Sequence, residues 1–153
     1  TRAPTAGEVD LLAAAAKGGW KTLGAAEMSL DDGVLTIKGT GEGKAFGVVY
    51  AAHAWWKDVD ADLEFTIVSG GFQLVAHFLP PSAGHNQSVS SRTFGTDKPV
   101  HLTLKVVDDT ATIGGDADLP GQPNKAMPPA GGIAFYIFPG SQVKFTKLTI
   151  AAK

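Results

Sequence analysis

Hydrophobic and polar positions alternate with a period of two through most of this chain, and that period predicts strands rather than helices. The clearest run covers 59–67. Val59, Ala61, Leu63, Phe65 and Ile67 fall on one face, and Asp60, Asp62, Glu64 and Thr66 on the other. A strand of this kind buries one side and wets the other, as in an antiparallel sheet. Val100, Leu102, Leu104 and Val106 form a second inward face, with His101, Thr103 and Lys105 outside. Phe72, Leu74, Ala76 and Phe78 alternate with Gln73, Val75 and His77, which predicts an outward His77. Shorter alternations occupy 35–38, 46–50, 110–113 and 133–137. Near the end, Val143 and Phe145 give way to Leu148 and Ile150, a change of parity that predicts a bulge at Thr146-Lys147.

Turn residues separate these runs. Asp31-Asp32-Gly33 reads as a hairpin, because Asp and Gly tolerate positive φ. Ser69-Gly70-Gly71, Asp108-Asp109 and Pro139-Gly140 read as turns, and Pro80-Pro81 ends a strand. Residues 82–86 read as a loop, and 87–94 as a polar edge strand. From Gly114 to Gly132, Gly, Pro, Asp and Asn dominate, predicting a long surface loop with room for one short strand. Helical spacing occurs only at the start. Thr5 and Glu8 have capping-box spacing, Val9, Leu11, Leu12, Ala15 and Ala16 form a stripe, and Gly18-Gly19 would end it. The organisation expected is a short helical segment over 1–18 and one domain over 19–153. That domain is all-β, a two-sheet antiparallel jelly-roll sandwich.

Composition narrows the function classes. With a formal charge of −2 and scattered basic residues, the chain has no positive field for a nucleic-acid backbone. The absence of cysteine excludes disulfides, thiolate metal sites and a cysteine nucleophile. No apolar run is long enough to cross a bilayer as a helix. The opening Thr1-Arg2-Ala3-Pro4 reads as a trimmed end, which leads us to expect a secreted or periplasmic protein.

Three groups of residues carry candidate chemistry. The first is the acid face Asp60, Asp62 and Glu64. Glycoside hydrolysis needs two carboxyl groups about 5–10 Å apart, and side chains two apart on a strand face stand about 6–7 Å apart. The same pattern describes a plain solvated face. Calcium, held by these acids and a loop carbonyl, is the one ion it suggests; no other cofactor is expected. The second group is His77 and His101, expected to lie with Gln73 on an open sheet face, either as an acid–base or metal site or as ordinary wet-face residues. His53 and His85 fall in loops without evident partners. The third is Trp55-Trp56 near Tyr50. Adjacent strand residues point to opposite faces, so Trp56 is expected inward and Trp55 outward, where it could stack on a sugar. Ser88, Ser90 and Ser91 lack a nucleophile elbow, and the glycine-rich 39–44 does not fit a phosphate loop. Asn86-Gln87-Ser88 matches the glycosylation sequon, a pattern frequent by chance.

The order of several short motifs resembles a concanavalin-like family, the 3-keto-disaccharide hydrolase domain. Gly19-Trp20 followed by Asp32-Gly33-Val34-Leu35 is similar to its opening. Trp56-Lys57-Asp58, Leu63-Glu64-Phe65 and Gly70-Gly71 are similar to its central strand, and 132–150 to its closing pair. The resemblance implies a jelly roll, export and association with carbohydrate. Of the family's polar signature, Glu64 alone is matched directly. Three functions follow as expectations. The first is a glycan-binding module, with ligand on a sheet face lined by Asp62, Glu64, Gln73, His77 and His101 and with Trp55 at its rim. The second is a 3-keto-glycoside hydrolase with Glu64 as acid–base. The third is a structural or protein-docking domain.

Overall fold

The computed structural model describes every residue except 1–5, 53, 81–82 and 127. Thr5 of the capping-box pattern, the opening tetrapeptide and His53 therefore lie outside the described residues. Among the described residues, thirteen strands form two antiparallel sheets: β1 (Glu8–Asp10), β2 (Trp20–Gly24), β3 (Ala26–Asp31), β4 (Val34–Gly39), β5 (Gly47–Ala51), β6 (Val59–Ser69), β7 (Gly71–Leu79), β8 (Ala83–Ser90), β9 (Pro99–Val107), β10 (Thr110–Gly115), β11 (Leu119–Pro123), β12 (Gly132–Ile137) and β13 (Gln142–Ala152). The larger sheet has eight strands. Its order is β11-β10-β9-β6-β13-β4-β3, with β1 also beside β13, and the smaller sheet runs β2-β5-β12-β7-β8. The all-β sandwich expected from the alternation is the fold observed.

The inner faces close on one apolar core. Phe65, Phe72, Phe135 and Phe145 are all buried and stack from sheet to sheet, with Phe135 and Phe145 rings 4.4 Å apart and Phe65 and Phe72 edge-to-face at 5.4 Å. Truncating one of these rings to alanine costs about 3–5 kcal/mol. The Asp32-Gly33 hairpin forms as expected, with φ of 51° and 75°. β13 breaks register between Phe145 and Lys147, where the parity change placed a bulge. The glycine-rich 114–132 stretch does contain a strand, β11, paired to β10. The polar edge strand runs over Ala83–Ser90, four residues earlier at each end than its composition suggests, and Ser91–Phe94 form a helical turn instead.

The N-terminal segment departs from the helical reading. Glu8–Asp10 is a strand, paired with Thr149–Ala151 of β13. β4 covers β13 only at Gln142–Phe145, so the rest of that edge is open, and β1 fills it. Leu12 N–H then donates to the Asp10 carboxylate at 2.9 Å, turning the chain into a short 3-10 helix over Ala14–Gly19. Leu11 and Leu12 are both buried, and the Trp20 indole N–H donates to the Leu11 carbonyl at 3.0 Å. Tertiary pairing thus overrides the local helical spacing.

Candidate functional site

The residues expected on one open face are divided between two sheets. β6 and β9 are neighbours in the eight-stranded sheet, whereas β7 belongs to the five-stranded sheet. Asp62, Glu64 and His101 therefore share an outer face, and Gln73 lies on the opposite side of the sandwich. Each strand is alternating, but alternation does not say which sheet a strand joins.

His77 is the sharper correction. It is only 2% exposed, where an outward residue was expected. Its backbone has φ of 49°, at an irregularity in the β7–β8 pairing between Ala76 and Leu79. This kink reverses the parity of the strand end. The imidazole turns in, with Nδ1 2.8 Å from the Pro128 carbonyl oxygen and Nε2 against the Lys57 carbonyl oxygen. Phe78, expected in the core, turns out instead and joins a separate apolar cluster with Val48, Val75, Ala134 and Tyr136. His77 thus ties two loops together rather than lining a sheet face.

On the eight-stranded sheet, Asp62 and Asp60 are engaged by neighbouring side chains. His101 Nε2 donates to Asp62 Oδ1 at 2.5 Å, Lys147 Nζ to Asp62 Oδ2 at 3.3 Å, and Lys153 Nζ lies 3.1 Å from Asp60. Burial pushes the Asp62 carboxyl up, but hydrogen bonds and charge from His101 and Lys147 outweigh it and hold it below its usual value. Glu64 is exposed, one register step from this pair and opposite His101 on β9. Among the described residues, no three His, Asp or Glu side chains converge as a metal ligand set.

The outer face of the five-stranded sheet is of a different kind. Register places Leu23, Val48, Tyr136, Gln73 and Ser88 in one row across β2-β5-β12-β7-β8. A parallel row holds Lys21, Tyr50, Ala134, Val75 and Asn86. At a strand spacing of about 4.8 Å, each row spans about 19 Å. Phe46, 50% exposed, stacks on Tyr136 at 5.4 Å. Tyr50 meets Phe78 at 5.2 Å, and Phe78 meets Tyr136 edge-on at 6.1 Å. Beyond these rings, Asn86 Nδ2 donates to Gln73 Oε1 at 3.1 Å. Burial raises the Tyr136 phenol, so it stays protonated at neutral pH. The face is thus an aromatic half on β5 and β12 beside an amide half on β7 and β8.

At one end of this face lies a cavity of about 310 Å³, lined by Tyr50, Trp55, Phe78, Leu79 and Pro80 with the small residues Ala51, Ala52, Ala54, Gly131 and Gly132. Trp55 is half-buried there, while Trp56 is 2% exposed in the core, the division expected, although the pair lies between β5 and β6 rather than in a strand. Tyr136, Phe46 and Phe78 were missed as site residues. The signal for Tyr136 is the apolar run Gly132-Ile133-Ala134-Phe135-Tyr136-Ile137, which lacks the polar alternation of β6 and so leaves apolar side chains on both faces.

No protein-family model matches the chain, and no curated protein sequence matches it. Solved structures do. A Bacillus subtilis protein of unknown function with a galectin-like fold superposes with a TM-score of 0.68 at 12% identity, over 97% of each chain. A glycosyl hydrolase candidate from Parabacteroides distasonis gives 0.65 at 12% identity, over 95% of this chain and 93% of that one. A family 29 carbohydrate-binding module, in a variant altered to probe ligand recognition, gives 0.60 at 14% identity, over 96% and 94%. At these identities the likeness establishes the galectin-like jelly-roll fold.

Proposed function

We propose that this chain is a carbohydrate-binding module whose glycan lies on the outer face of the five-stranded sheet. The observation that carries the reading is the Phe46–Tyr136 stack standing on that face beside the Gln73–Asn86 amide pair. A sugar ring has an apolar side of C–H groups and a rim of hydroxyls. The C–H side suits the negative face of an aromatic ring. The hydroxyls need groups that both donate and accept, which amides supply. Tyr136 and Gln73 are neighbours in one row, where the aromatic half meets the amide half, so one sugar can meet both. The fold shared with a family 29 carbohydrate-binding module supports the same reading. Of the residues expected to bind, Gln73 belongs to this surface, and Trp55 stands at its end.

The strand rows of this face carry one charged side chain, Lys21, and no acid. A neutral glycan is therefore the better match. Titration calorimetry against neutral and acidic oligosaccharides tests the reading. Neutral glycans should bind, and Phe46→Ala should weaken them about tenfold. Failure to bind any member of either set would end it.

The rival reading follows the 3-keto-disaccharide hydrolase resemblance, with Glu64 as acid–base. Glu64 and Asp62 do share a strand face, and this favours it. Asp62, however, is held by His101 and Lys147, and both acids stand on the opposite side of the sandwich from the aromatic face. Hydrolysis of a 3-keto-glycoside that is lost in Glu64→Gln would establish this rival; an unchanged rate would remove it.

A further inference from the structure

We infer that the cavity at the end of the five-stranded sheet binds an aromatic aglycone, so that the module recognises the end of an aryl glycoside rather than the interior of a polysaccharide. This rests on the glycan-binding reading of the adjoining face.

The cavity and the face are continuous, because Tyr50 and Phe78 belong to both. Their chemistry differs. The face offers Gln73, Asn86 and Ser88 for hydroxyls, whereas none of the described residues lining the cavity carries a charge and its walls are Tyr50, Trp55 and Phe78. Among the described lining side chains, the Tyr50 hydroxyl and the Trp55 indole N–H are the groups that can meet a sugar hydroxyl, so most hydroxyls of a sugar placed inside would lose water without replacement, at a cost of about 1–3 kcal/mol for each unsatisfied group. An apolar group suits it better. The volume of about 310 Å³ is about twice the ~150 Å³ that holds one benzene molecule, so it accepts one substituted ring. Three aromatic walls favour a flat ring over a flexible alkyl chain, since ring pairs gain from edge and offset contacts. Leu79, 39% exposed, and Pro80 supply an apolar rim at its mouth. Behind the cavity the backbones come close. A Cβ on Gly131 would lie 2.3 Å from the His77 carbonyl carbon, so the inward turn at His77 and the glycine opposite are built together.

The experiment compares phenyl, octyl and methyl glycosides of the same sugars, β-glucose, β-galactose and α-mannose, by calorimetry on the full chain. The phenyl glycoside of any sugar that binds should be tighter than its methyl glycoside by about tenfold or more. Ala52→Leu, which fills the cavity, should abolish that advantage and leave the methyl glycoside unchanged. Leu79→Ser, a change at an exposed position, should reduce the advantage without loss of folding. Equal affinity for phenyl and methyl glycosides overturns the cavity assignment alone. An octyl glycoside that binds tighter than the phenyl one replaces the aromatic ring by an alkyl chain and also overturns it. A self-association that Ala52→Leu abolishes gives the cavity to a second copy instead, and is equally fatal. If no glycoside of any kind binds, both the face and the cavity readings fall.

Discussion

The two outer faces of this sandwich are made by the same backbone geometry and do opposite things with it. On the eight-stranded sheet the outward row of β6 is polar, and its acids are held by their neighbours: Asp62 by His101 and Lys147, Asp60 by Lys153. On the five-stranded sheet the outward rows hold Val48, Tyr50, Ala134, Val75 and Tyr136, with amides only toward the β8 edge. A face that neutralises its own charges gives a ligand little to replace. A face on which Phe46 stands half exposed over the buried Tyr136 gains from a partner that removes that remaining apolar surface from water. The contrast between them, rather than any single residue, locates the proposed ligand.

The strongest way to break the contrast is to place one charge on each face. Val75→Lys would bury an ammonium at a site with no solvent exposure and should destabilise the fold by about 3 kcal/mol or more. Thr103→Lys, on the exposed side of β9 beside Asp62, should change stability by about 0.5 kcal/mol or less. Urea unfolding midpoints measure both. Similar effects at the two positions would mean that the faces do not differ as described.

The next effect concerns the kink that sends Phe78 outward. His77→Ala removes both carbonyl contacts and should cost about 1–3 kcal/mol. His77→Gly removes the same contacts but tolerates φ of 49°, where a side chain costs roughly 1–2 kcal/mol. Glycine should therefore be the less harmful substitution, the reverse of its usual rank in a strand. Alanine proving more stable than glycine in thermal unfolding would contradict the left-handed backbone at this position.

These two positions also show what could be read from the chain. Strict alternation in β6 and β9 announced the charged face residue by residue, because a half-buried strand leaves a pattern with only one solution. The β13 bulge was visible for the same reason, as a slip in parity. The kink at His77 was not, since Phe72-Gln73-Leu74-Val75-Ala76-His77-Phe78 reads as seamless alternation and nothing local marks the left-handed residue. The assignment of Gln73 and His101 to one surface failed at a different level. Strand order is set by long-range pairing, and β7 and β9 are separated in space by that pairing alone. The aromatic face was half legible: Phe46, Val48 and Tyr50 share a parity, but their neighbours Gly47 and Val49 gave no polar contrast to say which side was wet.

Binding separates the faces with a smaller free-energy change. Tyr50→Ala removes a ring shared by the sheet face and the cavity, and should weaken a neutral glycan by about tenfold, or about 1.4 kcal/mol. Asp62→Asn should leave that affinity within about a factor of two. The reverse order in titration calorimetry would move the ligand to the eight-stranded sheet.

The smallest effect tests whether the charged face is indeed self-paired. Asp62 is held below its usual carboxyl value in the folded chain, so the folded state binds the proton less readily than the unfolded one. Its contribution is therefore complete above the unfolded value of 3.8 and is lost as pH falls through the lower folded value. The side chain is 35% exposed, and solvent screens the pair, which limits the contribution to about 0.5 kcal/mol. Asp62→Asn should remove this increment at pH 6 and leave wild type and variant converging below pH 3. Adding about 1 M salt at pH 6 should narrow the same gap, because exposed charges are screened over about 3 Å at that ionic strength. A gap that persists in acid would show that Asp62 acts through packing, and the eight-stranded face would then owe its stability to shape rather than to paired charge.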